Sequence, residues 1–355
     1  MANLPIEEFD VIVVYDGTTV KGASDKSYRG RTPFPKPSAS FSYNKSYEYF
    51  LKQCKRSGLR AAFASTSDIT AGGLFQSVWV YQKNWKRVHG LSNARIVFDK
   101  FSHLDTYNAK YDAKLKNKID GVQYFHNPGI RALFDDKLRT YGRFSDFAIP
   151  TVKIDLKSSS TISFAKKALL DQIQAHKHMV DFTRLFVLKD QFGAGGVDVH
   201  KVKRMVDFLD IGKRDELVSY ILQPLIIANG FDFFNQKGYV DLRVIVCGGQ
   251  ITSCYIRTAK PGEFRANASR GGSVDYIEKK QIPKDVISMS KSINDLLPVQ
   301  DGFYALDFIK SSTGNLYFIE GNITPGLNWF NAKDERQVKQ FMRSIVSQIS
   351  LMAAD

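Results

Sequence analysis

Short apolar runs divided by polar, glycine-rich breaks dominate the first third of the 355-residue chain. Asp10–Tyr15 (DVIVVY) has the pattern of a buried strand, and helical spacing follows around Tyr47–Cys54. Leu59–Ala64, Val78–Tyr81 and Ala94–Phe98 read as further strands, so this part is expected to be a small α/β domain. Between the first strand and the first helix, residues 16–42 are too polar and too broken for a regular element. Loops of that length are usually functional or disordered.

The pattern changes near Phe125. A helix is expected over Ile130–Phe147, a strand entered through Pro150, a helix over Ser163–His178, and a strand over Leu185–Lys189 that runs into glycines. From Tyr239 the alternation is mostly that of strands. One pair turns about Gly248-Gly249 and a second about Ser312-Thr313-Gly314-Asn315. A closing helix is expected over Asp334–Met352.

Composition narrows the class. Hydrophobic residues make up 43% and charged residues 24%, ordinary for a globular protein. The chain contains no apolar run of the roughly 20 residues that a transmembrane helix requires. Its first residues are too acidic and polar for a secretory signal. The three cysteines, Cys54, Cys247 and Cys254, form no disulfide pattern. A reducing, cytoplasmic setting without a membrane partner is therefore expected. The net charge is +14, and residues 1–150 supply 23 basic against 14 acidic side chains, +9 of that total. Such a surface attracts anions, but no nucleic-acid-binding motif accompanies it, so nucleic acid is not the expected partner.

Three features carry chemistry. In the last hairpin, Asp307 and Glu320 lie equally far from the midpoint of the turn and are expected opposite each other. Facing carboxylates repel unless a cation separates them, and an oxygen-only donor set favours Mg²⁺. Asn322 adds a neutral oxygen on the same face. Second, Lys189 ends a strand that runs into Gly193-Ala194-Gly195-Gly196, which can offer backbone N–H groups and an ammonium to phosphate oxygens. Third, the basic, glycine-containing segment Arg257–Gly272 could close over anionic groups and exclude water.

Taken in this order, with Asp241-Leu242-Arg243 and Phe318–Gly326, these features resemble the ATP-grasp superfamily. Within it they are most similar to the branch of RimK-like glutamate ligases, over roughly Asn127 to the C-terminus. The resemblance implies an α+β ATP-grasp fold with an N-terminal α/β pre-ATP-grasp domain. Its divisions would be 1–128, a lid subdomain at 129–225 carrying the glycine loop, and a C-terminal subdomain at 226–355 carrying the metal site.

It further implies that Lys137 and Lys189 contact phosphates and that Gly193, Gly195 and Gly196 fold over them. Gln223, Pro224 and Leu225 would form the hinge strand against adenine, although Pro224 lacks the N–H that many hinges supply. No acidic residue follows the hinge at 226–228 to hold the ribose, which leaves Asp232 as a candidate. Arg243, Arg257 and Asn267 would surround the transferring phosphate. Asp307, Glu320 and Asn322 would bind Mg²⁺, two ions by analogy, with Mn²⁺ as an alternative.

The implied activity is ATP-dependent joining of a carboxylate to an amine through an acyl-phosphate, for example adding an amino acid such as glutamate to a peptide, protein or cofactor. Amino-acid or peptide substrates, an acidic or phosphorylated acceptor, and a homo-oligomer are compatible with it. A small-molecule kinase or a non-catalytic ATP-binding regulatory protein would use the same nucleotide site. One conflict stands in the pattern. A plain two-residue Gly248-Gly249 turn puts Arg243 and Arg257 on opposite faces, whereas the resemblance needs both at the site, so an irregular turn or a bulge is expected.

Overall fold

The computed structural model describes residues 6–103, 106–116, 121–214, 218–228, 238–267, 271–299, 302–329 and 331–354. Asp232 and Arg270 lie outside them. Two compact units emerge, one of residues 1–128, 301–303 and 324–355, the other of residues 129–300 and 304–323.

In the first unit, β1 (Glu7–Tyr15) runs parallel to β2 (Ala61–Ser65) and to the second half of β4 (Trp85–Lys100). β3 (Phe75–Tyr81) pairs antiparallel with the first half of β4, and also meets β2. Ser92 is the point at which β4 changes partner. α1 (Tyr43–Arg56) precedes β2, α2 (Thr106–Lys116) follows β4, and β5 (Gln123–Tyr124) lies parallel to β4. Alternate residues of β1, Phe9, Val11, Val13 on one register and Ile12, Val14 on the other, are all buried, as parallel central strands require.

The second unit holds two sheets. Its first elements are α3 (Pro128–Phe134) and α4 (Lys137–Phe144), where the sequence suggested a single helix over 130–147. The break is Asp136, whose backbone is extended and whose carboxylate accepts from the N–H groups of Leu138 and Arg139 at 2.9 and 3.1 Å. That is an N-cap, which starts a new helix rather than continuing an old one. After β6 (Val152–Ile154), α5 spans Ser159–Ala175, earlier than the expected 163–178, because Ser158 caps it by accepting from Thr161 N–H.

Next come β7 (Phe182–Asp190), β8 (Val199–Val202), α6 (Met205–Arg214) and β9 (Tyr220–Ile226), giving a sheet of order β6-β9-β7-β8. The other sheet contains β10 (Val240–Cys247), β11 (Gln250–Thr258), β12 (Ser273–Ile277), β13 (Phe303–Lys310) and β14 (Leu316–Asn322), in the order β12-β11-β10-β13-β14. α7 (Lys284–Asp295) packs its Val286 and Ile293 into the same core as Val244, Leu306 and Phe318. The chain ends in α8 (Ala332–Ala354).

The three-part division expected from sequence is drawn differently by compactness. The sheets β6-β9-β7-β8 and β12-β11-β10-β13-β14 share one unit, and residues 324–355, expected with the C-terminal part, group with residues 1–128. There α8 packs on α1 and β4, and Arg343 donates to the Tyr49 hydroxyl at 3.0 Å.

Two bulges orient the second sheet. Gly248 and Gly249 form a two-residue turn at φ +58° and +69°, pairing Cys247 with Gln250. The register then shifts at Ile245/Val246, leaving Thr252 as the extra residue, and its hydroxyl donates to Ile245 O at 3.2 Å. The turn is regular and the bulge carries the irregularity. It brings Asp241 opposite Arg257 and Arg243 opposite Tyr255, so Arg243 and Arg257 share a face. In the last hairpin Phe308 pairs with Phe318 but Asp307 with Glu320, so Ile319 is the extra residue. With Ile319 paired in register instead, Asp307 would face Ile319, and Glu320 would turn to the other side.

Candidate active site

A cleft lies wholly within the second unit. One wall comes from β7, β9 and the segment 193–197, the other from β10, β11, β13, β14 and residues 264–267. Ile149, Val187, Leu225, Ile226, Ile309 and Ile319 make one end apolar. A flat aromatic group would be desolvated there.

The strand that crosses this end is β9. β6 accompanies it only to Leu222, opposite Val152. On its other side the ladder with β7 skips from Phe186–Pro224 to Phe182–Ile226, so Leu225 faces a bulge. Backbone groups near Leu225 therefore lack a regular ladder partner, as a hinge offering main-chain hydrogen bonds requires. Pro224 has a pairing position but no N–H to give. The Gln223 side chain is occupied elsewhere, donating to the Thr151 hydroxyl at 2.8 Å.

The charged groups of the lining act on one another. The Asp307 carboxylate, buried to 1% exposure, accepts from Arg243 Nε and Nη2, both at 2.6 Å, and from Arg257 Nη2 at 2.7 Å. Arg257 also forks onto Asp241, at 2.5 and 2.9 Å. Burial alone would raise the Asp307 pKa, but Arg243 and Arg257 outweigh it and hold it below the usual value. Asp241 is shifted upward, chiefly by burial and against the pull of Arg257. Asp307 lies between two guanidinium groups, whereas Asp241 has one and also feels the negative charge of Asp307.

Two charged groups in the cleft are different. Neither the Lys189 ammonium nor the Glu320 carboxylate has a hydrogen-bond or ion-pair partner among the described residues. Burial lowers the Lys189 pKa, with Glu320 opposing and Lys137 reinforcing the shift. Lys137 donates to the Gly193 carbonyl, and its own N–H reaches Gln191 O at 3.1 Å. Since Gln191 also donates to Asp136 at 2.8 Å, the start of α4 is tied to the strand–loop junction after β7. Among the cleft residues, Lys137, Lys189, Arg257 and Arg265 are balanced by Asp190, Asp241, Asp307 and Glu320.

The glycine loop adopts backbone conformations closed to most side chains. Gly195 and Gly196 have φ +67° and +72°, and a Cβ at Gly196 would meet Asn267 Oδ1 at 2.8 Å. Asn267 thus packs directly on the loop.

Of the residues expected from sequence, Lys137, Lys189, Gly193, Gly195, Gly196, Gln223, Pro224, Leu225, Arg257, Asn267, Asp307 and Glu320 all line the cleft. Arg243 does not; it stands behind Asp307 as its bidentate partner. Asn322 shares the face of Asp307 and Glu320, pairing with Ala305, but is not a lining residue. Asp241 and Arg265 line the cleft without having been assigned a part. The Asp-Leu-Arg triplet was the available signal for Asp241. Arg265 lies in the basic segment Arg257–Gly272 expected to close over anionic groups, and it donates to Gly196 O and Val199 O at 3.5 and 3.4 Å.

The donor set fits a divalent cation. Glu320 keeps both oxygens for it, and Asp307 has spent three of about four lone-pair positions on arginines. Among the described residues no group of three or more His, Cys, Asp or Glu side chains is arranged to hold a metal ion.

An apolar slot, a glycine loop with an unpaired lysine and a facing carboxylate pair, set between two sheets, define an ATP-grasp protein. Residues 152–345 match the RimK-like ATP-grasp domain, and the chain belongs to that family. A probable alpha-L-glutamate ligase of Haemophilus influenzae is 31% identical over 163 residues, 44% of this chain and 48% of that one. The first relatives matched are covered over only 33–48% of their own length. Glutamate–LysW ligase ArgX of Sulfurisphaera tokodaii is 23% identical over 240 residues, 66% of this chain and 76% of that one. Among solved structures, D-alanyl-alanine synthetase A from Vibrio cholerae superposes with a TM-score of 0.60 at 13% identity, covering 99% of this chain and 100% of its own. That likeness concerns the fold. No described helix is long and apolar enough to cross a membrane.

Proposed function

We propose that this protein is an ATP-dependent carboxylate–amine ligase, releasing ADP and phosphate as it forms an amide. The observation that carries the reading is the pair of unpartnered charges, Lys189 and Glu320, facing one cleft. Both are half-buried where they line the cleft, and together they leave room for a ligand that is both a polyanion and a metal complex. Relatives named glutamate ligases support glutamate as the amino acid added to a peptide, protein or cofactor.

In this reading Leu225 and its neighbours receive adenine, while Gly193, Gly195, Gly196, Lys137 and Lys189 hold the phosphates. Magnesium, two ions held by Asp307, Glu320 and Asn322, would neutralise phosphate charge. Transfer of the γ-phosphoryl group to a substrate carboxylate gives an acyl-phosphate and ADP. The amine then attacks the acyl carbon, phosphate leaves, and the amine loses its proton to solvent or a base. Phosphoryl transfer needs positioning and charge stabilisation more than covalent help. Arg257 is held in place for that by Asp241 and Asp307. Asn267, packed against Gly196, lines the same cleft.

The test measures ADP release with glutamate and candidate acceptors, separately and together, with mass spectrometry of the products. A ligase gives ADP and a condensed product only when carboxylate and amine are both present. A stable phosphorylated product formed without amine would replace this reading with a kinase, and nucleotide binding without turnover with any pair would replace it with a regulatory protein.

A further inference from the structure

We infer that the basic face of residues 16–42 is a docking surface for an acidic peptide. The peptide's role as acceptor rests on the ligase reading above; its binding does not. The segment holds no helix or strand across 27 residues, yet it is fixed from beneath by buried polar groups. The Asp68 carboxylate, fully buried, accepts from Ala23 N–H (3.1 Å), Ser24 N–H (2.9 Å), Ser24 Oγ (2.6 Å) and Ser65 N–H (3.0 Å).

Further along, the Asn44 amide grips Phe34 from both sides, accepting its N–H at 3.1 Å and donating to its carbonyl at 2.9 Å. The Phe34 ring is completely buried against Tyr15, Tyr43, Tyr47 and Phe63. Trp79 Nε1 donates to Lys21 O at 2.9 Å, and Arg87 to Asp25 O and Tyr28 O at 2.9 and 2.6 Å. The alternative of a disordered insertion is thereby removed. A connector needs no such anchoring, since long loops cost little in stability when left slack. Held this firmly, the segment presents its side chains with much of their ordering cost already met.

Those side chains are cationic, and the segment's acids offset them only in part, Asp25 feeling the charge of Lys21. Lys21, Lys26, Arg29, Arg31 and Lys36 are all exposed, and none forms an ion pair among the described residues. The two acids of the segment turn to its own backbone. Asp16 accepts from Thr18 N–H at 2.7 Å, and Asp25 accepts from Ser27 N–H and Oγ at 2.9 and 2.5 Å and from Tyr28 N–H at 3.2 Å. Arg87 adds a further positive charge, bonded to carbonyls rather than to an acid. Lys36 is steadied over the Phe41 ring, 4.5 Å from its centroid.

Five cations strung over sixteen positions suit several negative charges along an extended chain better than one phosphate. Of the extended polyanions, an acidic peptide also brings the carboxylate and amine groups that a ligase consumes. Nucleic acid and anionic membrane are the competitors that the experiment must separate.

The probe is a fluorescein-labelled octaglutamate peptide, followed by fluorescence anisotropy at about 50 mM and about 300 mM salt. The full chain is compared with the triple variant Arg29→Ala, Arg31→Ala, Lys36→Ala, whose changes are at exposed positions. Expected are binding at low salt, affinity at least about tenfold weaker in the variant, and a shallower salt dependence. Nucleotide binding, titrated separately, should be unchanged. Equal affinity of the two proteins, or no binding by the parent at low salt, would overturn the inference. So would tighter binding of single-stranded DNA or of phosphatidylserine vesicles through the same three residues. Peptide binding that depends on them, without ADP release from any acidic peptide, would leave the docking surface standing and count against the ligase.

Discussion

Replacing Asp241 with Asn tests how firmly Arg257 must be held. Arg257 is buried to 5% exposure and makes three charge-assisted bonds, two to Asp241 and one to Asp307. Removing a partner from a buried pair costs about 3–5 kcal/mol. Asn keeps one acceptor oxygen and Asp307 stays in place, so a loss of about 2–3 kcal/mol is expected, the worth of one bond to a charged group and some Coulomb attraction. With a urea m-value of about 2–3 kcal/mol/M, the unfolding midpoint should fall by about 1 M. All three tryptophans, Trp79, Trp85 and Trp329, belong to the other unit, so unfolding is followed by circular dichroism. Turnover should fall about a hundredfold, the penalty for a charge displaced by about 1 Å. Nucleotide affinity should change much less. Asp207→Asn, which weakens a half-exposed ion pair with Arg204 at the start of α6, serves as the control and should lower the midpoint much less. A midpoint within about 0.2 M of the parent's, with full turnover, would refute the claim that Asp241 positions Arg257.

Other outcomes are equally specific. Glu320→Gln should nearly abolish ATP turnover and leave the circular-dichroism spectrum intact, and near-normal turnover would remove the metal assignment. Lys189→Ala should weaken nucleotide binding or turnover at least about tenfold more than Lys201→Ala, whose ammonium lies over Phe264 instead; equal effects would count against the phosphate role. Deleting Thr252 removes the bulge yet leaves Asp241 opposite Arg257, so a folded variant should keep its turnover, and loss of turnover with an unchanged circular-dichroism spectrum would show that the register does not place Arg257 by itself. At Asp181 burial favours the neutral acid, but bonds from Thr313, Tyr317, Asn315 and Ser311 outweigh it and lower the pKa. A depressed carboxyl stabilises the fold above the unfolded value of about 3.9 and loses that contribution as pH falls through the folded value. Asp181→Asn should therefore lower stability at pH 7 and flatten its decline below about pH 4, and identical pH profiles would exclude the effect.

Several parts of this protein could be read from its residues alone. The apolar runs located most strands, because burial imposes their pattern wherever they lie. Gly248-Gly249 marked its turn by the φ values that glycine alone adopts easily, and the run from Lys189 into glycines marked the loop. The Asp136 break was missed, since apolar spacing continues through it while the decisive feature is a side chain turned back on the next turn of backbone. For Asp307 and Glu320, counting from an assumed turn midpoint gave the right partners although the inner ladder is shifted by one residue, and the bulge at Ile319 restores the match.

Tertiary structure decided which charges meet. Arg257 and Arg243 lie 50 and 64 positions from Asp307, the partner they share, and the strands order the three as β11, β10, β13. The same strands with Thr252 in register would place the two arginines on opposite faces. A side-chain period of two makes each face depend on a single inserted residue, and an alternating pattern cannot say where that residue is accommodated. It likewise could not show that Lys189 and Glu320 would be left unpartnered, because pairing is a property of the whole cleft rather than of either segment.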